Sequence, residues 1–237
     1  MTGRSAIWHD VELGSYDADL PLWLELAAAG DGAILDLGAG TGRVAAHLAA
    51  HGHEVVALDM DPDLLAVLAQ RAPTVTTVLA DARSFSLERR FPLVIAPMQL
   101  AHIVGGHAAR VAMLERVHAH LIDGGTFAAA LTDPMEALED RGDPFPLPDM
   151  LERDGWVFSS QPLSVREDNR SVAMERHRQA VSPTGEIDEE TVTIALDVFS
   201  SDQFEDEARV AGLEPVARRA VPESPDHIGS SVVICRR

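Results

Sequence analysis

The sequence contains no lysine. All 19 of its positive side chains are arginine, set against 38 acids, for a net charge of −19. A surface so short of positive charge repels phosphate backbones, and nucleic-acid readers carry a basic footprint. Nucleic acids and anionic membranes are therefore set aside as partners, and most of the charge reads as a device for solubility. Cysteine is nearly missing as well. Cys235 stands alone, so no intrachain disulfide can form; in the run SVVICRR it reads as a buried strand residue, since a free thiol behaves as a small hydrophobe. The chain does not open on a basic segment followed by an apolar run, and no stretch approaches the roughly 18 apolar residues of a membrane-crossing helix. A soluble cytoplasmic protein is the expectation. Arginine in place of lysine, together with abundant alanine, suggests a GC-rich bacterial source.

What is present is the composition of a globular protein. The chain has 237 residues, 46% hydrophobic and 24% charged, enough for one well-packed domain over 1–237 and tight for two. LPLWLELAAAG predicts a helix with Leu22, Leu26 and Ala29 on one face, ending at Gly30. Strands then alternate with helices. Apolar runs at 34–37, 54–59, 75–80, 93–96 and 126–131 read as strands, with helices from about 41 to 50, from Pro62 toward Pro73, and from about 108 to 121. Asp61 is a natural N-cap with Pro62 behind it. This rhythm predicts a doubly wound, mostly parallel sheet covered on both faces. After Asp133 the rhythm breaks. A Pro- and acid-rich loop leads into three strand-like segments near 157–166, 171–181 and 189–199, with the turn signal SPTGE between the last two. An antiparallel insertion over 133–199 follows, with residues 1–30 as a helical lid. Ser200 and Gln203 form a capping box for another helix, and two closing strands, 213–221 and 230–235, complete a seven-stranded sheet whose last strand is antiparallel.

Three features carry chemistry. In ILDLGAGTGR a strand ends and Gly38, Gly40 and Gly42 turn the chain into a helix, leaving bare backbone for a ligand and amide groups at a helix start. Asp59 ends the next strand about twenty residues on, where an acid reaches the ribose hydroxyls of a nucleoside cofactor. Asp81 ends the third, within reach of an adenine amino group. One such acid is ordinarily a helix cap; three features at the ends of successive strands are not. Two cofactors fit. For the nicotinamide fingerprint G-x-G-x-x-G, counting from Gly38 puts bulky Arg43 in the last place, while counting from Gly40 puts Ala45 there, which is sometimes allowed. A nicotinamide-dependent oxidoreductase thus stays open.

The segments DLGAGTGR, ALDMDPDLL, ADARSF, FPLVIAPMQLAHI and HLIDGGTF, in this order and spacing, resemble the successive signatures of class I S-adenosylmethionine-dependent methyltransferases over about residues 14 to 131. Tyr16-Asp17 before the first predicted helix and the late antiparallel insertion resemble the bacterial small-molecule members. The resemblance implies a Rossmann-like fold and S-adenosyl-L-methionine as cofactor. It implies that Gly38, Ala39 and Gly40 line the methionine part, that Arg43 pairs its carboxylate, and that Tyr16 closes over that end. Asp59 would hold the ribose, Met60 pack on the adenine, Asp81 and Ala82 bind its edge, and Pro97 and Met98 border the methyl group. The acceptor would be a small molecule of secondary metabolism methylated on oxygen or nitrogen under the insertion, with Phe145, Trp156 and Phe158 as candidate walls. His102, just after the fourth strand, is the candidate general base, with His107 second. No histidine has metal-ligand spacing with acids, and no metal is expected. The reading is compatible with a homodimer, and a fold-mate that binds the cofactor without transferring methyl remains an alternative.

Overall fold

The computed structural model describes residues 4–133, 147–168, 171–224 and 228–237. In chain order the elements are α1 (Arg4–Leu13), α2 (Leu20–Ala28), β1 (Ile34–Leu37), α3 (Arg43–Ala50), β2 (Val55–Asp59), α4 (Pro62–Arg71), β3 (Thr76–Leu79), β4 (Phe91–Ala96), α5 (Leu100–Ile103), α6 (His107–His120), β5 (Leu121–Leu131), β6 (Asp149–Arg153), β7 (Trp156–Asp168), β8 (Ser171–Val181), β9 (Ile187–Asp197), α7 (Ser201–Val210), β10 (Glu214–Val221) and β11 (Ser230–Arg236).

Seven strands form one sheet in the order β10-β11-β5-β4-β1-β2-β3. β1, β2, β3, β4 and β5 run parallel, and β11 enters antiparallel between β5 and β10. β1 and β2 are buried along their whole length, which is why they read as unbroken apolar runs: helices cover both faces of a parallel sheet. On one face Trp23 of α2, Leu48 of α3 and Leu68 of α4 pack on Ile34, Ala57 and Ile95. On the other, Met113 and Leu114 of α6 and Phe204 of α7 pack on Leu35, Phe91 and Phe127. Each large side chain so buried contributes about 1.5–3 kcal/mol. The helix starts follow local chemistry. Asp61 accepts hydrogen bonds from the amides of Asp63 and Leu64, and Ser200 with Gln203 closes a complete capping box.

The chain reverses its winding at β1, which lies between β2 and β4. In a doubly wound sheet such a switch point opens a crevice beyond the carboxyl ends of the strands. A second, antiparallel sheet, β6-β7-β8-β9, is made by the stretch between β5 and α7. It is joined to the rest through α1, whose Trp8 and Val11 pack on Phe158 and Ala180; the Trp8 and Phe158 rings meet edge-on at 5.8 Å.

Three elements go beyond the expectation from sequence. α1 is a full helix where a polar start was read, β6 adds a fourth strand to the insertion, and α5 is a single turn after β4. No described helix is long and apolar enough to cross a membrane.

Candidate active site

A cavity of about 880 Å³ opens beyond the carboxyl ends of β1, β2 and β4 and extends to the inner face of the second sheet. Of the residues singled out in the sequence, Tyr16, Gly38, Ala39, Arg43, Asp59, Met60, Asp81, Ala82, Pro97 and Met98 all line it.

The glycine turn builds the floor. Gly38 and Gly40 hold φ of +67° and +58°, angles that a side chain disfavours. A Cβ on Gly40 would also fall 2.2 Å from the His9 ring, which lies against that glycine. The turn is fixed from the next strand: Asp59 accepts the Gly40 amide at 2.8 Å and the Asp61 amide at 2.9 Å. Each carboxylate oxygen thus keeps a lone pair for a hydroxyl donor. Asp81 lies on the rim, drawn below the usual carboxylate range by hydrogen bonds from Arg83. Met60 stands 69% exposed at the mouth. Met98, after β4, holds a positive φ of 59°, a strained conformation of the kind that clusters at functional sites.

Tyr16 and Arg43 close the other end. The Arg43 guanidinium lies 4.9 Å from the centre of the Tyr16 ring and donates to the Tyr16 carbonyl and to both oxygens of Asp19 at 2.5 and 2.8 Å. Asp19 in turn accepts from the indole of the fully buried Trp23. Arg43 thus lines the cavity with its charge balanced by Asp19, and three of its five N–H groups hold Tyr16 and Asp19 in place.

His102 departs from the expectation. It does not line the cavity and is 1% exposed. Its Nδ1 donates to the Asp197 carbonyl at 2.8 Å, and its Nε2 accepts from the Thr132 amide at 3.2 Å. Phe199 stacks on the ring at 4.4 Å. Burial pushes its pKa down, consistent with a neutral ring holding one donor and one acceptor. With no free nitrogen it has no lone pair to offer a substrate; it ties the entry of the insertion at Thr132 to its exit at Asp197. His107 is paired with Glu207. Among the other candidates, Trp156 and Phe158 stack in the cluster under α1 rather than on the cavity wall, and Phe145 lies outside the described residues.

Residues not singled out from the sequence complete the site. Asp36, in the middle of β1, lines the cavity, yet neither of its carboxylate oxygens has a hydrogen-bond partner of good geometry. Burial pushes its pKa up to about 8. The signal was in the sequence: one acid inside the fully apolar strand ILDL. His9, Glu12 and Leu13 of α1 face the cavity too. Burial alone would push Asp10, beside His9, upward. Hydrogen bonds from Arg71, Arg153 and Thr41 outweigh it and bring Asp10 to about 2.

The arrangement has room for a diol donor at Asp59 and for a cation near Asp36. A family model described as a methyltransferase domain matches residues 34–125. The chain is 28% identical over 180 residues to the dTDP-3-amino-3,6-dideoxy-alpha-D-glucopyranose N,N-dimethyltransferase of Streptomyces fradiae, covering 76% of this chain and 69% of that protein. The fold is shared with the sugar N-methyltransferase KedS8 of Streptoalloteichus (TM-score 0.80, 18% identity, 98% of this chain and 92% of that one). It is shared as well with S-adenosylmethionine-bound CalS10, an amino pentose methyltransferase of Micromonospora echinaspora (TM-score 0.72, 22% identity, 97% and 91%). Residues 34–125 thus match a methyltransferase domain, and the chain is similar to S-adenosylmethionine-dependent methyltransferases of bacteria that act on small molecules.

Proposed function

We propose that this enzyme methylates an amine nitrogen of a small molecule in secondary metabolism, with its donor held by Tyr16, Gly38, Ala39, Gly40, Asp59, Met60, Asp81 and Ala82. The observation that carries the reading is the pairing of Asp59, fixed on the glycine turn, with the unpartnered acid Asp36 in one cavity. When bound, S-adenosylmethionine supplies a methyl group already activated by a sulfonium. Asp59 presents its carboxylate to the ribose, and Asp36 meets the methionyl ammonium, whose charge replaces the hydrogen bonds Asp36 lacks. Met60 and Ala82 flank the adenine, Asp81 accepts from its amino group, and Tyr16, Pro97 and Met98 border the reacting end.

Nitrogen is preferred over oxygen because His102, the candidate base, is buried with both ring nitrogens engaged. An amine needs only to be neutral to attack, whereas a hydroxyl gains from a base. The names of the relatives point the same way, to amino sugars. The protein's contribution is alignment and exclusion of water, and alignment is worth on the order of 7–11 kcal/mol. In this reading residues 1–30 act as the lid, and the insertion over 133–199 forms the acceptor wall.

Calorimetric titration of S-adenosylmethionine and S-adenosylhomocysteine into wild type and Asp59→Ala, with NADH as control, tests it. Micromolar binding that weakens at least a hundredfold in the variant is expected. Binding of NADH in preference, or of neither thioether nor sulfonium, would sink the reading.

A further inference from the structure

The half of the cavity facing the second sheet has a wall of its own. Leu13, Met98, Met174, Ile194, Leu196 and Ile228 make it apolar. The polar groups among them are few. The Thr132 hydroxyl is buried without a partner at the start of the insertion. Arg176, the cation of this half, is held by Asp149 and lies 3.4 Å from Glu12. Glu12 also accepts from Nε and Nη2 of Arg178 at 2.7 and 2.9 Å.

Charge over the whole cavity is lopsided. Seven carboxyl side chains line it: Glu12, Asp19, Asp36, Asp59, Asp61, Asp81 and Asp149. Three arginines face them, and each is already matched: Arg43 with Asp19, Arg83 with Asp81, Arg176 with Asp149. Among the described lining residues no guanidinium is left for an anion. In the half facing the second sheet a diphosphate would have to break the Arg176–Asp149 pair, whose guanidinium is largely buried, or sit uncompensated beside acids, and either is costly; the Arg83–Asp81 pair is the exposed one, at the rim of the donor half.

We infer that the acceptor is a phosphate-free amine carried on an apolar skeleton, recognised by shape and by the acidic surroundings, and not a nucleotide-linked sugar. This rests on the proposed methyl transfer to nitrogen and narrows its substrate class. It sets the enzyme apart from the relative in Streptomyces fradiae, whose name specifies a dTDP-linked amino sugar. The net negative field draws in the ammonium form from solution. The apolar wall then disfavours its charge, favouring loss of the proton to water before the nitrogen attacks. The Thr132 hydroxyl is placed to accept a hydrogen bond from an amine N–H.

Calorimetry on the full chain saturated with S-adenosylhomocysteine tests this with three probes: dTDP, 4-phenylbutylamine and 4-phenylbutyl phosphate. The last two share a skeleton and differ in head-group charge. The amine should bind at least tenfold more tightly than the phosphate, and dTDP should show no binding below millimolar. Asp149→Asn, which removes the acid bonded to the Arg176 terminal nitrogen and leaves only Glu12 beside it, should raise phosphate and dTDP affinity at least fivefold. Wild-type binding of dTDP in the micromolar range, or a phosphate that binds as well as the amine, overturns the inference. Failure of the initial S-adenosylhomocysteine saturation would instead overturn the methyltransferase reading on which it rests.

Discussion

The two walls of the cavity are built on different principles. The wall proposed to hold the donor belongs to the parallel sheet and uses strand ends: glycines that bare the backbone, and an acid at the tip of each of two successive strands. The wall proposed for the acceptor belongs to the antiparallel sheet and uses strand faces, alternate apolar side chains of β8 and β9 such as Met174, Ile194 and Leu196. Strand ends accommodate few alternatives, because backbone angles and acids must fall at fixed points. A strand face can be repapered residue by residue without altering the sheet. The donor half is accordingly the part a family shares, and the acceptor half the part free to diverge.

The sharpest way to break this comparison is to damage the donor half from beneath. Trp23 is fully buried and hydrogen-bonded to Asp19, which holds Arg43. Trp23→Ala should cost about 3–5 kcal/mol in denaturant unfolding and weaken S-adenosylhomocysteine binding with it, since Tyr16 and Arg43 lose their anchor. Unchanged cofactor affinity would show that the α2 side is not part of the donor site.

Asp36 offers a subtler test. Its pKa is raised in the folded protein, so the folded state keeps a proton that the unfolded chain has released. Stability from this group is complete below about pH 4 and is lost as pH rises through about 8. Asp36→Asn should flatten the fall in melting temperature of the ligand-free protein between pH 5 and 8. It should also weaken S-adenosylmethionine at least tenfold. A variant that melts in parallel with wild type across that range would remove Asp36 from the site.

The smallest effect is expected at the joint between the halves. His102→Gln, which keeps one donor and one acceptor, should cost about 1–2 kcal/mol of stability and leave the pH dependence of kcat unchanged. Loss of the acidic limb of that profile, where a general base would become protonated, would restore the catalytic role expected from the sequence.

These residues also show what the sequence could and could not disclose. The sheet, its order of strands and helices, and the glycine-to-acid spacing were legible because period and strand-end chemistry are local. Asp61 and the Ser200–Gln203 capping box were legible for the same reason. His102 was misjudged because its position after the fourth strand is local, whereas its two partners, 95 and 30 residues away, are not. The Arg43–Asp19 pair was not foreseen because nothing in the sequence says that the two side chains meet. α1 was missed because its partners lie in the insertion: Trp8 and Val11 acquire an apolar environment only from Phe158 and Ala180.

That last feature bears on how the protein is made. Asp10 pairs with Arg153 and Glu12 with Arg178, 143 and 166 residues later in the chain. The ribosome therefore releases α1 long before these partners, and α1 must wait for its seat until they have emerged. Contacts this distant close late in folding. A chain stalled after β5 would already hold the glycine turn and Asp59 but lack the partners that seat His9 over Gly40. The nascent protein is thus an open cradle, and its first helix is the last piece to shut it.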